Sequence, residues 1–198
     1  MEEFEKNTHL FEDEGNYFNN LFEEDDYSYL SVKNCDFKNC ILKNMIITDT
    51  TFDHCYFTDV LFDHCDFSNA KFEESLIKKC SFKSCKTLGM QVNNSILDHV
   101  TYEECMMSYS SFYHTQIKEV HYYSSQLNES FFTNCQIKAS FSESDLTMTE
   151  IDHTSFKGID LSSALISGIR ITPYDLKGAI IGADQAIDLV PLLGVILK

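Results

Sequence analysis

The chain has 198 residues, 43% of them hydrophobic, and a formal net charge of −16 at pH 7. Length and composition predict one soluble domain, and the negative charge excludes a direct nucleic-acid partner, which needs clustered lysine and arginine. The first residues lack the apolar core of a secretory signal, and no apolar run is long enough to span a bilayer. We therefore expect a cytoplasmic protein with no membrane partner.

Residues 1–30 are predicted to form an acidic N-terminal segment and cap. Their acidic side chains stand against Lys6 as the only basic one. Phe22 and Tyr27 keep, faintly, the spacing of the segment that follows. An irregular first turn that covers one end of a stacked structure is the expected result.

Residues 31–171 repeat with a period of five, which matches neither a helix, at 3.6, nor a strand, at 2. A large apolar residue, called the centre here, recurs at every fifth position from Val32 to Ile137, with Thr87 as an exception. A small residue, called the shoulder, stands two positions before each centre. All eight cysteines are shoulders: Cys35, Cys40, Cys55, Cys65, Cys80, Cys85, Cys105 and Cys135.

This pattern predicts a coil in which shoulders and centres point inward and the other three positions point outward. Four sides close a turn of about 20 residues, and successive turns stack at roughly 4.8 Å. Each turn buries its centres only against its neighbours, so centres twenty residues apart, such as Phe52 and Phe72, are expected to form columns. After Ile137 the spacing slips by one residue, which predicts a tightened corner between Lys138 and Ser140. From Val32 to Ile166 the coil has seven predicted turns and a length of about 35 Å.

Residues 172–198 are predicted to be a C-terminal helix and strand that dimerise. Thr172 precedes Pro173 as an expected N-cap, and a helix over residues 182–193 is tightened by Pro191 and ended by Gly194. So much apolar surface at a chain end has to be covered; a homodimer is expected, and an intramolecular cap is the alternative. The predicted dimerisation residues are Ile187, Leu189, Val190, Leu192, Leu193, Val195, Ile196 and Leu197.

Histidines beside cysteines, as in His54-Cys55 and His64-Cys65, suggest metal ligands only as long as the sequence is considered without its fold. On the coil each cysteine points inward and the preceding histidine outward, so the ligands do not converge as zinc requires. Buried thiols also lack the base that a cysteine nucleophile needs. The sequence predicts reduced cysteines, no metal, no cofactor and no enzymatic activity.

The blocks CDFKNC, FDHCDFSNAKF, FTNCQI and GIDLSSALI resemble the A-(D/N)-L/F-x-x unit of the pentapeptide-repeat family, and the resemblance covers about residues 30–171. It implies an all-β solenoid, namely a right-handed quadrilateral β-helix of pentapeptide repeats with a short C-terminal helix.

The tail, ITPYDLKGAI followed by QAIDLVPLLGVILK, resembles the C-terminal segment of the quinolone-resistance (Qnr-type) members of that family. The resemblance implies that two rods join end to end and that the acidic dimer is similar to B-form DNA in width and charge. Such a dimer is expected to bind a type II topoisomerase, DNA gyrase or topoisomerase IV, and to protect it from fluoroquinolones. Some Qnr-type proteins carry loops inserted between repeats, and this sequence has none.

Two functions are therefore considered. In the first, rows of carboxylates on a DNA mimic face the lysines and arginines of the topoisomerase. The candidate residues are Asp53, Asp63, Glu73, Glu74, Glu103 and Glu104. In the second, the chain is a protein-interaction scaffold or an immunity-type protein with a different partner. Continuous acidic tracks along the rod favour the first function, and scattered charge favours the second.

Overall fold

The structure, a computed structural model, describes residues 4–195 and is a parallel β-solenoid. The strands are β1 (Glu5–Lys6), β2 (Asn16–Phe18), β3 (Asn20–Glu23), β4 (Ser31–Lys33), β5 (Asp36–Lys38), β6 (Ile41–Lys43), β7 (Thr51–Asp53), β8 (Tyr56–Thr58), β9 (Leu61–Asp63), β10 (Lys71–Glu73), β11 (Leu76–Lys78), β12 (Ser81–Lys83), β13 (Gln91–Asn93), β14 (Ile96–Asp98), β15 (Thr101–Glu103), β16 (Ser111–Tyr113), β17 (Gln116–Tyr123), β18 (Phe131–Thr133), β19 (Gln136–Ser142), β20 (Glu150–Asp152) and β21 (Arg170–Ile171). The helices are α1 (Pro173–Leu176), α2 (Ala186–Leu189) and a 3₁₀ helix (Val190–Leu193). No helix within residues 4–195 has the length and apolar character needed to cross a membrane.

The coil has four sides, numbered here in chain order. Face 1 is the eight-stranded sheet β4-β7-β10-β13-β16-β18-β20-β21. Face 2 contains β2, β5, β8, β11, β14 and the first halves of β17 and β19. Face 3 contains β3, β6, β9, β12, β15 and the second halves of β17 and β19. Face 4 is a column of single bridges, from Asp26↔Ile46 to Asp145↔Leu165, each followed by a turn. The predicted quadrilateral β-helix is confirmed.

Stacked centres form the core, as the period of five predicts. Phe52 pairs with Phe72 on face 1, and their rings stack at 5.1 Å. On face 3 Phe62 and Phe82 stack at 4.3 Å. These centres are at most 1% exposed, whereas both neighbours in each three-residue strand face outward. Because every turn buries its centres against the turns on either side, the core is continuous along the rod.

Each corner is made by the residue two positions after a centre, which has a left-handed backbone. Asn34 has φ 55° and Asn39 has φ 49°. Asparagine and histidine are frequent at these corners, since they tolerate this conformation better than most residues; glutamate is also frequent there. The corner amide also contributes to stacking: that of Asn34 donates to the carbonyl of Asp53 in the next turn, at 3.0 Å.

The shoulders bond backbone groups that the corners leave inside the coil. The Cys105 thiol donates to the carbonyl of Phe82 at 3.4 Å, and the Ser75 hydroxyl accepts the amide of Cys55 at 3.0 Å. All eight cysteines are free and buried. They therefore act as small interior side chains with weak donors.

The coil begins earlier than residue 31 and is longer than the seven turns expected. Strands β2 and β3 pair with β5 and β6, so Tyr17 and Phe22 already occupy the columns of faces 2 and 3. The ring of Phe11 lies across the N-terminal end of the core, 4.9 Å from that of Phe37. The Tyr27 hydroxyl donates to the carbonyl of His9 at 2.8 Å. The acidic N-terminal residues from Phe11 onward are thus part of the rod.

The one-residue slip after Ile137 appears as a register shift between β17 and β19. Lys118 pairs with Lys138, but the next pair is Val120 with Ala139, so Glu119 has no partner in the ladder. Strand β19 runs across the missing corner without a left-handed residue. The structure is irregular between residues 138 and 140, as predicted, but the predicted tightened corner is wrong: the chain there is an extended strand.

The C-terminal end is closed by side chains from two short turns. Thr172 caps α1 as predicted: its hydroxyl accepts the amide of Asp175 at 3.1 Å. The second helix starts at Ala186, later than the predicted residue 182, because Gln185 turns inward. Its Nε2 donates to the carbonyls of Leu161 and Ala164 at 2.8 and 2.6 Å. Gly194, with φ 72°, ends the 3₁₀ helix as expected.

Candidate partner-binding surfaces

The predicted acidic residues all lie at outward positions, but on two opposite faces. Asp53 and Glu73 are in β7 and β10 of face 1, and Glu74 is at the following corner. Asp63 and Glu103 are in β9 and β15 of face 3, and Glu104 is at its corner. The six side chains therefore do not form one surface.

On face 1 the carboxylates are joined to basic neighbours. Lys33 Nζ lies 3.0 Å from Asp53 Oδ2, and His54 Nδ1 lies 2.6 Å from Asp53 Oδ1. The hydrogen bond from His54, together with that from Lys33, lowers the pKa of Asp53, and the same bond raises the pKa of His54. His54 Nε2 also lies 3.1 Å from Glu74. Part of the negative charge on this face is thus internally compensated.

On face 3 acidic and basic residues alternate along the rod. The outward position of successive strands is Glu23, Lys43, Asp63, Lys83 and Glu103. Lys43 lies 3.9 Å from Glu23, and Lys83 lies 3.5 Å from Glu103. These pairs are exposed and contribute about 0–1 kcal/mol each. The acidic track on this face is interrupted at alternate turns.

The corner between faces 3 and 4 carries acidic residues that are free of ion pairs in the part of the chain described. Glu24, Asp25 and Asp26 lie there in the first turn, and Glu143 and Asp145 lie there near the other end. Of the acids on this edge, sequence reasoning included only Glu104 among the candidate residues. The signal was available, because residues about 20 positions apart share one side of the coil.

Face 2 differs from the other three because lysine is the commonest residue directly after its centres. The lysines are Lys38, Lys78, Lys118, Lys138 and, after the slip, Lys157. Lys78 pairs with Asp98 at 3.3 Å, and Lys138 pairs with Glu119. Lys38, Lys118 and Lys157 form no ion pair among residues 4–195. Sequence reasoning missed this strip, although the spacings of 40 and 20 between Lys38, Lys78, Lys118 and Lys138 carry the signal.

The C-terminal end presents an apolar groove of about 230 Å³ between α1, α2 and the 3₁₀ helix. Leu189, Val190, Leu192 and Leu193 line it, and Ile187, 67% exposed, lies beside it. Val195 is also exposed, whereas Ile196 and Leu197 lie outside the described residues. Six of the predicted dimerisation residues are thus placed at one end of the rod.

The histidine and cysteine pairs diverge as expected: Cys55 and Cys65 are buried, and His54 and His64 are exposed. Burial raises the pKa of the Cys80 thiol to about 12, which opposes thiolate chemistry. Within residues 4–195 no group of three or more histidine, cysteine, aspartate or glutamate side chains is arranged to hold a metal ion.

Residues 55–132 match the family model described as "Pentapeptide repeat region", and the same columns continue on both sides of that segment. Residues 55–132 of this chain are therefore a pentapeptide-repeat region. The sequence matches none of the curated proteins.

Among solved structures, the chain is similar to a trypsin-treated variant of QnrB1, described as a plasmid-mediated fluoroquinolone resistance protein. The identity is 17%, the match covers 93% of this chain and 100% of that one, and the TM-score is 0.48. It is also similar to HetL, involved in heterocyst differentiation regulation in the cyanobacterium Nostoc sp. strain PCC 7120, with 12% identity, 86% and 91% coverage and a TM-score of 0.41. A polysaccharide lyase from human gut microbiota matches at 11% identity over 88% of this chain and 54% of its own length, with a TM-score of 0.38.

Proposed function

We propose that the protein is a non-enzymatic DNA mimic that binds a type II topoisomerase, DNA gyrase or topoisomerase IV, and protects it from fluoroquinolones. The observation that carries the proposal is the acidic surface of a narrow rod: carboxylates line faces 1 and 3 and the corner between faces 3 and 4. Successive turns repeat at roughly 4.8 Å, so carboxylates of neighbouring turns, such as Asp53 and Glu73, are one such spacing apart. A protein surface that holds DNA attracts such a pattern.

The proposed homodimer extends this surface. The apolar groove and the exposed Ile187, Leu193 and Val195 lie at the C-terminal end. Contact between two such ends places the two rods end to end, so that the acidic edges continue across the two-fold axis. In this assembly the apolar residues at the end of the rod form the contact between the two copies. The charged residues along its sides remain available to the topoisomerase.

The test is DNA supercoiling by purified gyrase, titrated with this protein with and without a fluoroquinolone. Rescue of supercoiling in the presence of drug supports the proposal, and inhibition without rescue removes the protective role. The effect is expected to weaken steeply with salt, because it depends on exposed charges. No effect with gyrase or with topoisomerase IV contradicts the proposal.

Paired variants identify the face that makes contact. E103Q with E104Q removes two charges from face 3, and D53N with E73Q removes two from face 1. D36N with D59N removes two from face 2 and is the matched control. Loss of the effect in one of the first two pairs, but not in the control, identifies the contact face; equal loss in all three indicates dependence on net charge alone.

The second candidate, an interaction scaffold or immunity-type protein with a different partner, is favoured by one observation. The acidic tracks contain Lys43 and Lys83, and face 2 is a lysine strip, so the charge is less uniform than that of a DNA duplex. Without any effect on either topoisomerase, this scaffold role is the better explanation, and chemical cross-linking in cells is the next experiment.

A further inference from the structure

The register shift at β19 opens a cleft of about 530 Å³ on the lysine side of the rod. One wall is the strand itself, from Ile137 to Ser140, and the other is the next turn, from Lys157 to Ile159. The two walls separate because the coil changes geometry here. After Phe156 face 2 has a turn in place of a strand: the amide of Ile159 donates to the carbonyl of Phe156 at 3.0 Å.

The wall formed by β19 is an open sheet edge in the interior of the rod. Strand β19 pairs with β17 on one side only. Within the described residues, no backbone hydrogen bond joins residues 136–142 to residues 155–159. Every earlier strand of face 2 has a strand on its C-terminal side. Unpaired amides and carbonyls along such an edge are a template for another extended segment.

The floor and rim of the cleft define the chemistry of that segment. Ile159 is 3% exposed, and Ile137 and Ala139 are partly buried, so the floor is apolar. Lys138 and Lys157 stand exposed on opposite walls, and Lys118 is the neighbour of Lys138 on the preceding turn. Glu119 also lines the cleft and pairs with Lys138. With three lysines against this one carboxylate the rim keeps a positive balance, although the whole chain carries a net charge of −16.

We propose that this cleft binds an extended peptide segment of a partner protein, with apolar residues facing the floor and carboxylate residues facing the lysines. The backbone of the segment pairs with the open edge of β19, in the manner of strand addition. The need for backbone donors and acceptors favours a peptide over a nucleic acid, and the net charge of the rod repels a polyphosphate. This site is distinct from the acidic faces and does not depend on topoisomerase binding.

The test is an NMR titration of the full chain, labelled with ¹⁵N, with a blocked heptapeptide of alternating valine and glutamate at up to about 1 mM. We expect the amide signals of residues 136–142 and 155–159 to shift. One control peptide has lysine in place of glutamate. The other control peptide carries methyl groups on alternate backbone nitrogens. Both are expected to bind about tenfold more weakly, since each lacks one part of the recognition.

Matched variants test whether the lysines of the rim contribute to peptide binding. K138E with K157E is expected to weaken binding of the acidic heptapeptide about tenfold. K38E with K71E changes the net charge equally, outside the cleft and at lysines without ion pairs, and is expected to leave binding within about twofold. Absence of shifts at about 1 mM, shifts confined to other residues, or equal binding of the methylated peptide would overturn the proposal. So would a single-stranded oligonucleotide that shifts the cleft signals when the peptide does not.

Discussion

Tyr102 and Tyr122 lie on successive turns of face 3 with their rings stacked at 5.2 Å and an interplanar angle of 5°. Both rings are fully buried, and neither hydroxyl has a hydrogen-bond partner among the described residues. The column has phenylalanine at Phe62 and Phe82 below them and at Phe141 above. Burial raises the pKa of both phenols well above the ordinary value. The aromatic ring therefore packs in the column like that of phenylalanine, whereas the buried hydroxyl without a partner lowers the stability of the fold.

Replacing either residue by phenylalanine is therefore expected to stabilise the protein. A buried unpartnered hydroxyl costs about 1–3 kcal/mol, so Y102F and Y122F should each raise the free energy of unfolding by about 1 kcal/mol or more. Urea denaturation monitored by circular dichroism measures the change. Y27F is the matched control: the Tyr27 hydroxyl donates to His9, and its removal should destabilise. A loss of stability in Y102F would show that its hydroxyl is bonded to a buried water.

Gln185 is predicted to hold the C-terminal end closed. In Q185A the buried carbonyls of Leu161 and Ala164 lose their donor, which should lower the free energy of unfolding by about 1–3 kcal/mol. D184A, at the exposed neighbouring position, is the control and should change it by less than about 0.5 kcal/mol. Thermal unfolding compares the two variants. Equal stability of Q185A and D184A would mean that water replaces the amide.

The pair of Asp53 and His54 predicts a specific pH dependence. The pKa of His54 is raised above its ordinary value of 6.5 by the bond to Asp53. The contribution of His54 to the free energy of unfolding is therefore complete below its unfolded-state pKa. It is lost as the pH rises through the higher folded-state pKa. Asp53 has a lowered pKa, so its contribution is present above its unfolded-state pKa and is lost as the pH falls through the folded-state value.

An NMR titration of the His54 ring tests this. In the intact protein its midpoint should lie above 6.5, and D53N should move the midpoint to lower pH. D152N, which removes the partner of the distant His153, is the control and should leave His54 unchanged. An unchanged midpoint in D53N would show that Glu74, at 3.1 Å from His54 Nε2, is the dominant partner.

The proposed dimer makes a prediction about mass in solution. L193D with I187D introduces two charges at the exposed apolar end and is expected to convert a dimer to a monomer, because burying unpaired carboxylates opposes association. Sedimentation equilibrium measures the mass. Y174D changes a residue that is 83% exposed and does not line the groove, and it should remain dimeric. A monomeric parent protein would contradict the proposed dimer.

The period of five was sufficient for the columns but not for the assignment of charges to faces. Phe52 and Phe72 are twenty residues apart, so their contact follows from four sides of five residues each. The same arithmetic separates Asp53 from Asp63 by two sides, which places them on opposite faces. The outward pattern alone selects the six candidate acids, and it does not specify which of them share a face.

The cleft could not be derived from the repeat. A one-residue deletion predicts an irregularity, but its effect depends on whether the next turn pairs with β19. Thr154 and Phe156 fit the pattern of shoulder and centre as well as earlier units do. Gly158, with φ 81°, favours the tight turn that removes the pairing, yet Gly89 occupies a corner in the regular coil. Whether the next turn pairs with β19 depends on how neighbouring turns stack, and the repeat pattern does not specify this.

The open edge at β19 also bears on how the rod unfolds. In a solenoid, cooperativity passes from each turn to the next through their shared interface. Among the described residues, two of the four sides, faces 2 and 3, provide no backbone bonds across the junction. Faces 1 and 4 remain connected by β18 with β20 and by Asp145 with Leu165. The coupling is therefore weakest at this junction. The last turns, with the apolar C-terminal end attached, form a unit that can detach and refold against the rest while the N-terminal turns remain folded.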